Sequence, residues 1–266
     1  MHTTLTTLLD RLDSAAAFAT DVIRWASPVP SFGDLSRAKV ATVGLNPSNR
    51  EFVDVCGDEL AGTLRRFHTL NSLGINSWLE ADARHLRLIL DSCSEYFNRS
   101  PYDLWFKRLD RVISAVGSSF YGDSPSACHL DLIPYATASK WTELTGRQRS
   151  LLLAMAADSL GLLLRDSDVV VLILNGQSVV AHFQQICGVC MQQRQMRTWS
   201  LARKGKFQIP GIGYTAVIDK VAGLRLPHKI LVLGYNHNLQ SSFGVTNEVI
   251  GSIGAWAGEV IGGAIS

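Results

Sequence analysis

KVATVGLNPSNREF, residues Lys39 to Phe52, opens as a buried strand and closes as a polar loop. Val40 to Leu45 is a short, β-branched apolar run of the kind that is covered on both faces of a sheet. The run stops at Asn46-Pro47-Ser48-Asn49. Pro47 has no N–H for a ladder and pushes Asn46 out of the helical region. Gly44, just before the stop, allows close approach to the backbone. Open α/β sheets place their chemistry where such strands run out. An ordinary strand-to-loop turn with an Asn-Pro break would read the same on this segment alone.

Outward from it the chain alternates between helical and strand patterns. The periodicity predicts helices over Thr3–Ala26, Asp58–Leu73, Ala81–Phe97, Tyr102–Val116, Thr145–Leu164, Ser178–Ile186 and Thr246–Ile261. Further buried strands are predicted at Ala127–Ile133, at Asp168–Leu174 (DVVVLIL) and at Lys229–Leu233. Gly122–Ser126 reads as a loop, Lys206–Lys220 as a hairpin or irregular insert, and Gly262–Ser266 as a frayed tail. Strands separated by helices imply an α/β fold, three layers (α/β/α) around a central, mainly parallel sheet of four strands. No repeat or linker divides the chain, so one domain is expected over 1–266. An N-terminal helix falls in 1–30, the core in 39–245, and the C-terminal helix and tail in 246–266.

Composition sets wide bounds. The 266 residues are 47% hydrophobic and 18% charged, with a net charge of +2 and a mean hydropathy of +0.12. This suffices for a substantial core, and the charge neither announces nor excludes a nucleic-acid partner. No apolar run reaches membrane-spanning length, and MHTTLTTLLDRLDS lacks the pattern of a secretion signal, so a cytoplasmic chain is expected. Cys56, Cys93, Cys128, Cys187 and Cys190 are odd in number and scattered, which argues for free thiols. The lone Cys187-Gly188-Val189-Cys190 has no second pair or nearby histidines, so neither metal nor cofactor is expected.

Four predicted strands end in polar loops: Asn46-Pro47-Ser48, Pro134 to Trp141, Asn175-Gly176-Gln177, and Tyr235 to Ser242. In a parallel sheet these ends share one edge and converge on one crevice. They bring no paired carboxylates, no Walker or Gly-x-Gly-x-x-Gly loop, and no GxSxG elbow. What they bring is amides, hydroxyls, histidine and Asp131. Such a set suits a reaction with a good leaving group that needs positioning and electrostatics. His129 reads as a satisfied core or edge histidine turned away from Asp131, and His237 as a functional one. Tyr102, Trp105 and Phe106 read as core. Arg65, Arg66 and His68 read as a solvated helix face, and Lys140, Arg147 and Arg149 border the second loop.

Gly44-Leu45-Asn46-Pro47-Ser48 resembles the first motif of the uracil-DNA glycosylase superfamily, nearest to the Gly-(Ile/Leu)-Asn-Pro-Gly of its mismatch-specific branch. Leu130-Asp131-Leu132-Ile133-Pro134 resembles the family's Thr-Asn-Leu-Val-Pro, and Val171 to Asn175 its third strand. Tyr235 to Ser242 stands where the family has His-Pro-Ser-Pro-Leu-Ser or Asn-Pro-Ser-Gly-Leu, but both prolines are missing. The resemblance runs from residue 39 to 245, and only its first motif is fairly specific.

The resemblance implies a uracil-DNA glycosylase-like fold and a monofunctional, monomeric enzyme. Such an enzyme everts a nucleotide from DNA and hydrolyses its N-glycosidic bond, leaving an abasic site. Asn46 would hold the attacking water, and His237 or Asn238 would take the leading place of the last motif. Gly44, Leu45, Asp131, Asn175 and Asn238 would surround the base, with Phe52, or else Phe67, stacking on it. Ser48, Lys140, Gln240, Ser241 and Ser242 would contact DNA, and the wedge role would pass to Leu239 through Ser242. Some family members hold an iron–sulfur cluster through four cysteines, an arrangement these cysteines do not fit.

Two departures bear on substrate. Ser48 replaces a glycine and narrows the approach to the base. Asp131 replaces an amide, and a carboxylate only accepts, which favours a donor-bearing base such as cytosine over uracil. Asp131 can equally serve as a base or hold its own loop. Some branches of the superfamily attack phage DNA with substituted cytosines as a defence, and the long 74–127 and 188–228 segments leave room for a larger pocket or further DNA contacts. A housekeeping uracil or mismatch glycosylase is the alternative. A non-catalytic nucleic-acid-binding relative and an unrelated α/β enzyme on a small nucleoside or sugar remain as other classes.

Overall fold

Val40 to Gly44 does form a strand, β1, and every one of its residues is buried. The structure, a computed structural model, describes residues 1–99, 103–122, 124–202 and 208–265. The other strands are β2 (Ala127–Asp131), β3 (Val171–Asn175), β4 (Gln192–Ala202), β5 (Gln208–Val221) and β6 (Leu224–Tyr235). The helices before β2 are α1 (His2–Leu12), α2 (Ala15–Phe18), α3 (Leu70–Leu73), α4 (Ala83–Ser94), α5 (Tyr96–Arg99) and α6 (Asp103–Ser114). They are followed by α7 (Gly146–Ala156), α8 (Ser159–Arg165), α9 (Gln177–Cys187) and α10 (Asn247–Ile265).

The sheet is six-stranded and mixed, in the order β2-β1-β3-β6-β5-β4. This corrects the expected four strands. β2, β1, β3 and β6 run parallel, and β5 and β4 extend the sheet antiparallel beyond β6. The predicted insert at Lys206–Lys220 is therefore the long strand β5, and the 188–228 segment builds a sheet edge. Lys206 itself lies outside the described residues, as does Tyr102. The insert reading followed Pro210, Gly211 and Gly213, yet the glycines are where the strand meets bulky neighbours. A Cβ on Gly211 would lie 2.2 Å from that of Trp199, and one on Gly213 would lie 3.0 Å from the Trp256 ring. Glycine in a strand marks such close approach.

Strand residues alternate between two apolar clusters, one on each face. Ala41, Val43, Cys128, Leu130, Leu172 and Leu174 join the helices α1, α4, α8 and α9. Val40, Ala127, Val171, Ile173 and Leu233 join an aromatic-rich layer with α5, α6 and α10. Because β1 lies between β2 and β3, the connections leave it on opposite sides. That reversal opens a crevice at the carboxyl ends of the strands.

Several helices are shorter than their periodicity predicts. The Thr3–Ala26 pattern divides into α1 and α2 and ends at Phe18, and Val22 and Ala26 instead bridge Thr137 and Thr69. Ala81–Phe97 divides into α4 and α5, and Thr145–Leu164 into α7 and α8. Asp58–Leu73 is largely irregular, with a 3-10 turn at Gly62–Leu64 and only α3 helical. Gly62 takes φ +57°, which breaks the run. His68 is buried rather than solvated, and burial together with Arg65, Arg99 and His85 pushes it down to about 4. α10 continues to Ile265, through most of the expected tail. No described helix is long and apolar enough to cross a membrane.

Candidate functional site

The crevice is a cleft of about 510 Å³ at the ends of β1, β2 and β3. Gly44 to Ser48 contribute one wall, Asp131 and His129 the floor, and Lys140 to Thr142 the rim beyond β2. Asn175, Asn238, Gln240 and Ser241 close the opposite side. Phe32, Trp105 and Phe106 supply apolar surface. Amide groups from three predicted loops thus meet in one place.

The floor follows from register. Thr42 pairs with His129 and Gly44 with Asp131 across β1 and β2. Thr42 Oγ1 lies 2.7 Å from His129 Nδ1, and His129 Nε2 lies 3.5 Å from Asp131 Oδ1. The expectation that His129 turns away from Asp131 is corrected: residues two apart in a strand share a face. The imidazole sits among the rings of Phe32, Trp105 and Phe106, at 5.3 to 5.5 Å. Trp105 and Phe106, read as core, therefore also line the cleft. A Cβ on Gly44 would stand 2.4 Å from Asp131 Oδ1 and 2.9 Å from His129 Nε2. Only glycine leaves this floor intact.

Asn46 is half-buried, and its Nδ2 donates to Thr137 Oγ1 at 3.0 Å and to Pro47 O at 3.1 Å. Thr137 in turn donates to Ser139 O at 2.7 Å. Both amide protons being engaged, the carboxamide oxygen is left as the acceptor. Sequence reasoning brought the Pro134–Trp141 loop to the same edge as Asn46 but did not single out Thr137 within it. Thr137→Val removes the bond that fixes the carboxamide. Leaving Asn46 Nδ2 and Ser139 O without the Thr137 hydroxyl is expected to cost about 1 kcal/mol of stability, read as a lowered melting temperature.

Three assignments are corrected. His237 is buried at 2% exposure outside the cleft lining, and its Nε2 lies 2.8 Å from Trp199 O on β4. It fastens the last loop to β4 and does not face a ligand in the cleft. Phe52 packs beneath the wall against Trp25 and Phe67 at 1% exposure, and Phe67 is equally buried. The rings that do face the cleft are Phe32, Trp105, Phe106 and Trp141, brought there from other elements. Leu239 is fully buried, whereas Phe243 on the same loop is 79% exposed.

Asn175 lines the cleft, but its amide is spent on the last loop. Nδ2 donates to Gln240 Oε1 at 2.8 Å, and Oδ1 accepts from Leu239 N at 3.1 Å. Gln240 then donates to Trp105 O at 3.1 Å. Asn238 Oδ1 accepts from the backbone of Gln240 and Ser241, an Asx turn. Ser48 caps a 3-10 turn at Asn49–Glu51 by accepting from Arg50 N. Ser242 is outside the cleft lining and its N–H bonds Asn238 O. Lys140 and Arg50 stand exposed at the mouth. Arg66 donates to Arg50 O and Arg99 to Arg65 O, which gathers four arginines beside that wall.

The same 3-10 turn carries Glu51 into the cleft at 3% exposure, a residue absent from the expected set. Tyr96 OH donates to its two oxygens at 3.3 and 3.2 Å, and Arg66 Nη1 is 3.6 Å away. Burial pushes its carboxyl up to about 8 and the nearby Asp131 adds to this, against Arg66 and Tyr96. At neutral pH the group is mainly protonated. Its folded-state value lies above the ordinary 4.5, so its contribution to stability is complete below that pH and is lost as pH rises through about 8. Among the described residues no group of three or more His, Cys, Asp or Glu side chains is arranged to hold a metal ion.

Compared with known proteins, the chain matches no family model, and no curated protein matches it.

Proposed function

We propose that the chain is a DNA glycosylase of the uracil-DNA glycosylase superfamily, which excises a modified or damaged pyrimidine. The observation that carries this reading is the placement of Asn46. It lies at the end of β1, its amide protons engaged, above a floor of Asp131 and His129 in a cleft with aromatic walls. The cleft's 510 Å³ lies within the common range for small-molecule sites.

In the proposed reaction the C1′–N bond breaks and its electron pair leaves with the base. Water adds its oxygen to C1′, and the proton it gives up passes through solvent to the departed base, which is released neutral. Asn46 Oδ1 accepts a hydrogen bond from that water and aims it. His129 takes the place once given to His237. The tautomer that accepts from Thr42 on Nδ1 carries its proton on Nε2, where a donor can stabilise the departing base. Arg50 and Lys140 at the mouth suit phosphates, and exposed Phe243 suits the gap left by an everted nucleotide.

The test is incubation with oligonucleotides and phage DNA carrying uracil, mismatched thymine or substituted cytosines, followed by alkali cleavage and mass detection of free base. Strand breaks at one base class, with that base released, are the expected result. An intact panel, or binding that ignores salt, would remove the reading, because phosphate contacts weaken steeply with salt. A defence role against phage DNA predicts release from phage genomes with substituted cytosines. A housekeeping role predicts release from uracil or mismatched thymine.

A further inference from the structure

The proposed excision says where the base goes and leaves open how the rest of the strand is held. Arg50 stands exposed at the cleft mouth on the Ser48-capped turn. Arg66 Nη1 donates to Arg50 O at 2.8 Å, and Arg99 Nη1, at the end of α5, donates to Arg65 O at 3.3 Å. Arg65 and Arg66 are chain neighbours, so the two bonds join four arginines into one ridge. The ridge starts at the cleft with Arg50, and its other three members lie outside the lining.

Its surroundings do not neutralise it. Arg66 has a carboxyl partner, Glu51 at 3.6 Å, but that group is mainly protonated at neutral pH because burial pushes it up to about 8. Among the described residues Arg50, Arg65 and Arg99 form no ion pair. Arg50 donates to a carbonyl, that of Asp54. The nearby carboxylates serve their own turns. Asp54 accepts from Cys56 N and Asp58 N, Glu59 from Thr69 and Asn71, and Glu95 from Asn98. The Arg65 guanidinium makes no hydrogen bond or ion pair among the described residues, so it ties no other part of the chain. Its charge and that of Arg99 reach buried His68, and with burial and His85 they hold the imidazole down at about 4. Like charges gathered without carboxylates repel one another, and an anion among them relieves the repulsion. Across the cleft, Asn175, Asn238, Gln240 and Ser241 bring no charge to the lining.

Resting on the glycosylase reading, we infer that Arg50, Arg65, Arg66 and Arg99 form a DNA-backbone site that holds the phosphates on one side of the everted nucleotide. A row of planar guanidinium forks suits successive phosphates better than a lone anion. The chain's net charge is only +2, so the site is a local feature of this rim. Each phosphate it neutralises releases counterions, which writes the contact into the salt dependence of binding.

The experiment measures equilibrium binding of the full chain to a duplex with a central tetrahydrofuran abasic analogue, which cannot be excised, over a series of salt concentrations. Arg65→Ala is expected to bind about 10-fold more weakly at low salt, with the slope of log affinity against log salt shallower by about 0.9. Arg50→Gln, a second loss from the same ridge, is expected to give a similar decrement, and Arg65→Lys to keep the slope. Arg225→Ala removes an exposed cation at the start of β6, the sheet end away from the cleft, and is expected to change nothing. A neutral methylphosphonate is then placed at each flanking phosphate in turn. At one or more positions on one side of the analogue it is expected to cost about 10-fold in the original protein and nothing further in Arg65→Ala. Excision of the base panel is run alongside.

Unaltered slopes in folded Arg65→Ala and Arg50→Gln overturn the inference. So does an equal decrement in Arg225→Ala, which would make it an effect of net charge, or methylphosphonate losses that add to that of Arg65→Ala at every position. Inorganic triphosphate bound as tightly as the duplex, and lost in Arg65→Ala, would assign the ridge to a free anion and overturn it too. If no base is released but the duplex binds through Arg65 as described, the glycosylase reading fails and the backbone site stands. If bases are released and the slopes are unaltered, the backbone site fails alone.

Discussion

On the proposed glycosylase reading, Asn46→Ala is expected to reduce base excision by about 10²- to 10³-fold while DNA binding stays within a few-fold of the original. The carboxamide lies at the end of β1 with both amide protons engaged, so its oxygen is the group available to a water. Removing it costs orientation of the nucleophile, a transition-state property, and spares the cations at the mouth. Single-turnover release of free base, paired with equilibrium binding to the same oligonucleotide, measures the two effects separately. An alanine variant that excises normally would remove Asn46 from the reaction. Loss of both together, with an unaltered melting temperature, would make it a binding residue.

On the same reading, Gly44→Ala is expected to cost about 10²-fold in excision together with stability, by a different route. The added methyl would stand 2.4 Å from Asp131 Oδ1 and 2.9 Å from His129 Nε2, inside van der Waals contact with both. Gly44 lies in a fully buried strand between β2 and β3, so the backbone has little room to yield. The carboxylate and imidazole must move instead, and they are the floor of the cleft. Displacement of reacting groups by about 1 Å costs on the order of 10²-fold, and overpacking adds about 1–3 kcal/mol of destabilisation. Excision kinetics and thermal unfolding of the same variant give both figures. A Gly44→Ala protein with normal turnover would show that the floor takes no part.

The strand-loop boundary at Gly44 to Ser48 was legible because a buried run, a glycine and an Asn-Pro stop are all local signals. The same holds for β2, β3 and the core of β6, whose apolar runs are unambiguous. The helix over Asp58–Leu73 failed because its apolar residues serve separate contacts. Leu60, Phe67 and Leu70 do not share one helical face once Gly62 breaks the run. β5 was read only as a hairpin or irregular insert, and not as one long strand, because its glycines carry the signature of turns, while their cause, the side chains of Trp199 and Trp256, lies elsewhere in the chain.

Residue types and their order were enough to establish alternating strands and helices, and a cleft-bound Asn46 beside Asp131 and Asn175. Tertiary structure alone decided the rest. It turned His237 toward Trp199, buried Phe52, spent the amide of Asn175 on Gln240, and set His129 and Glu51 against the cleft. Strand patterns are encoded over a few neighbours, whereas the direction of a loop side chain and the protonation of a buried carboxyl depend on groups scores of residues away. Those partners meet only when the sheet is assembled.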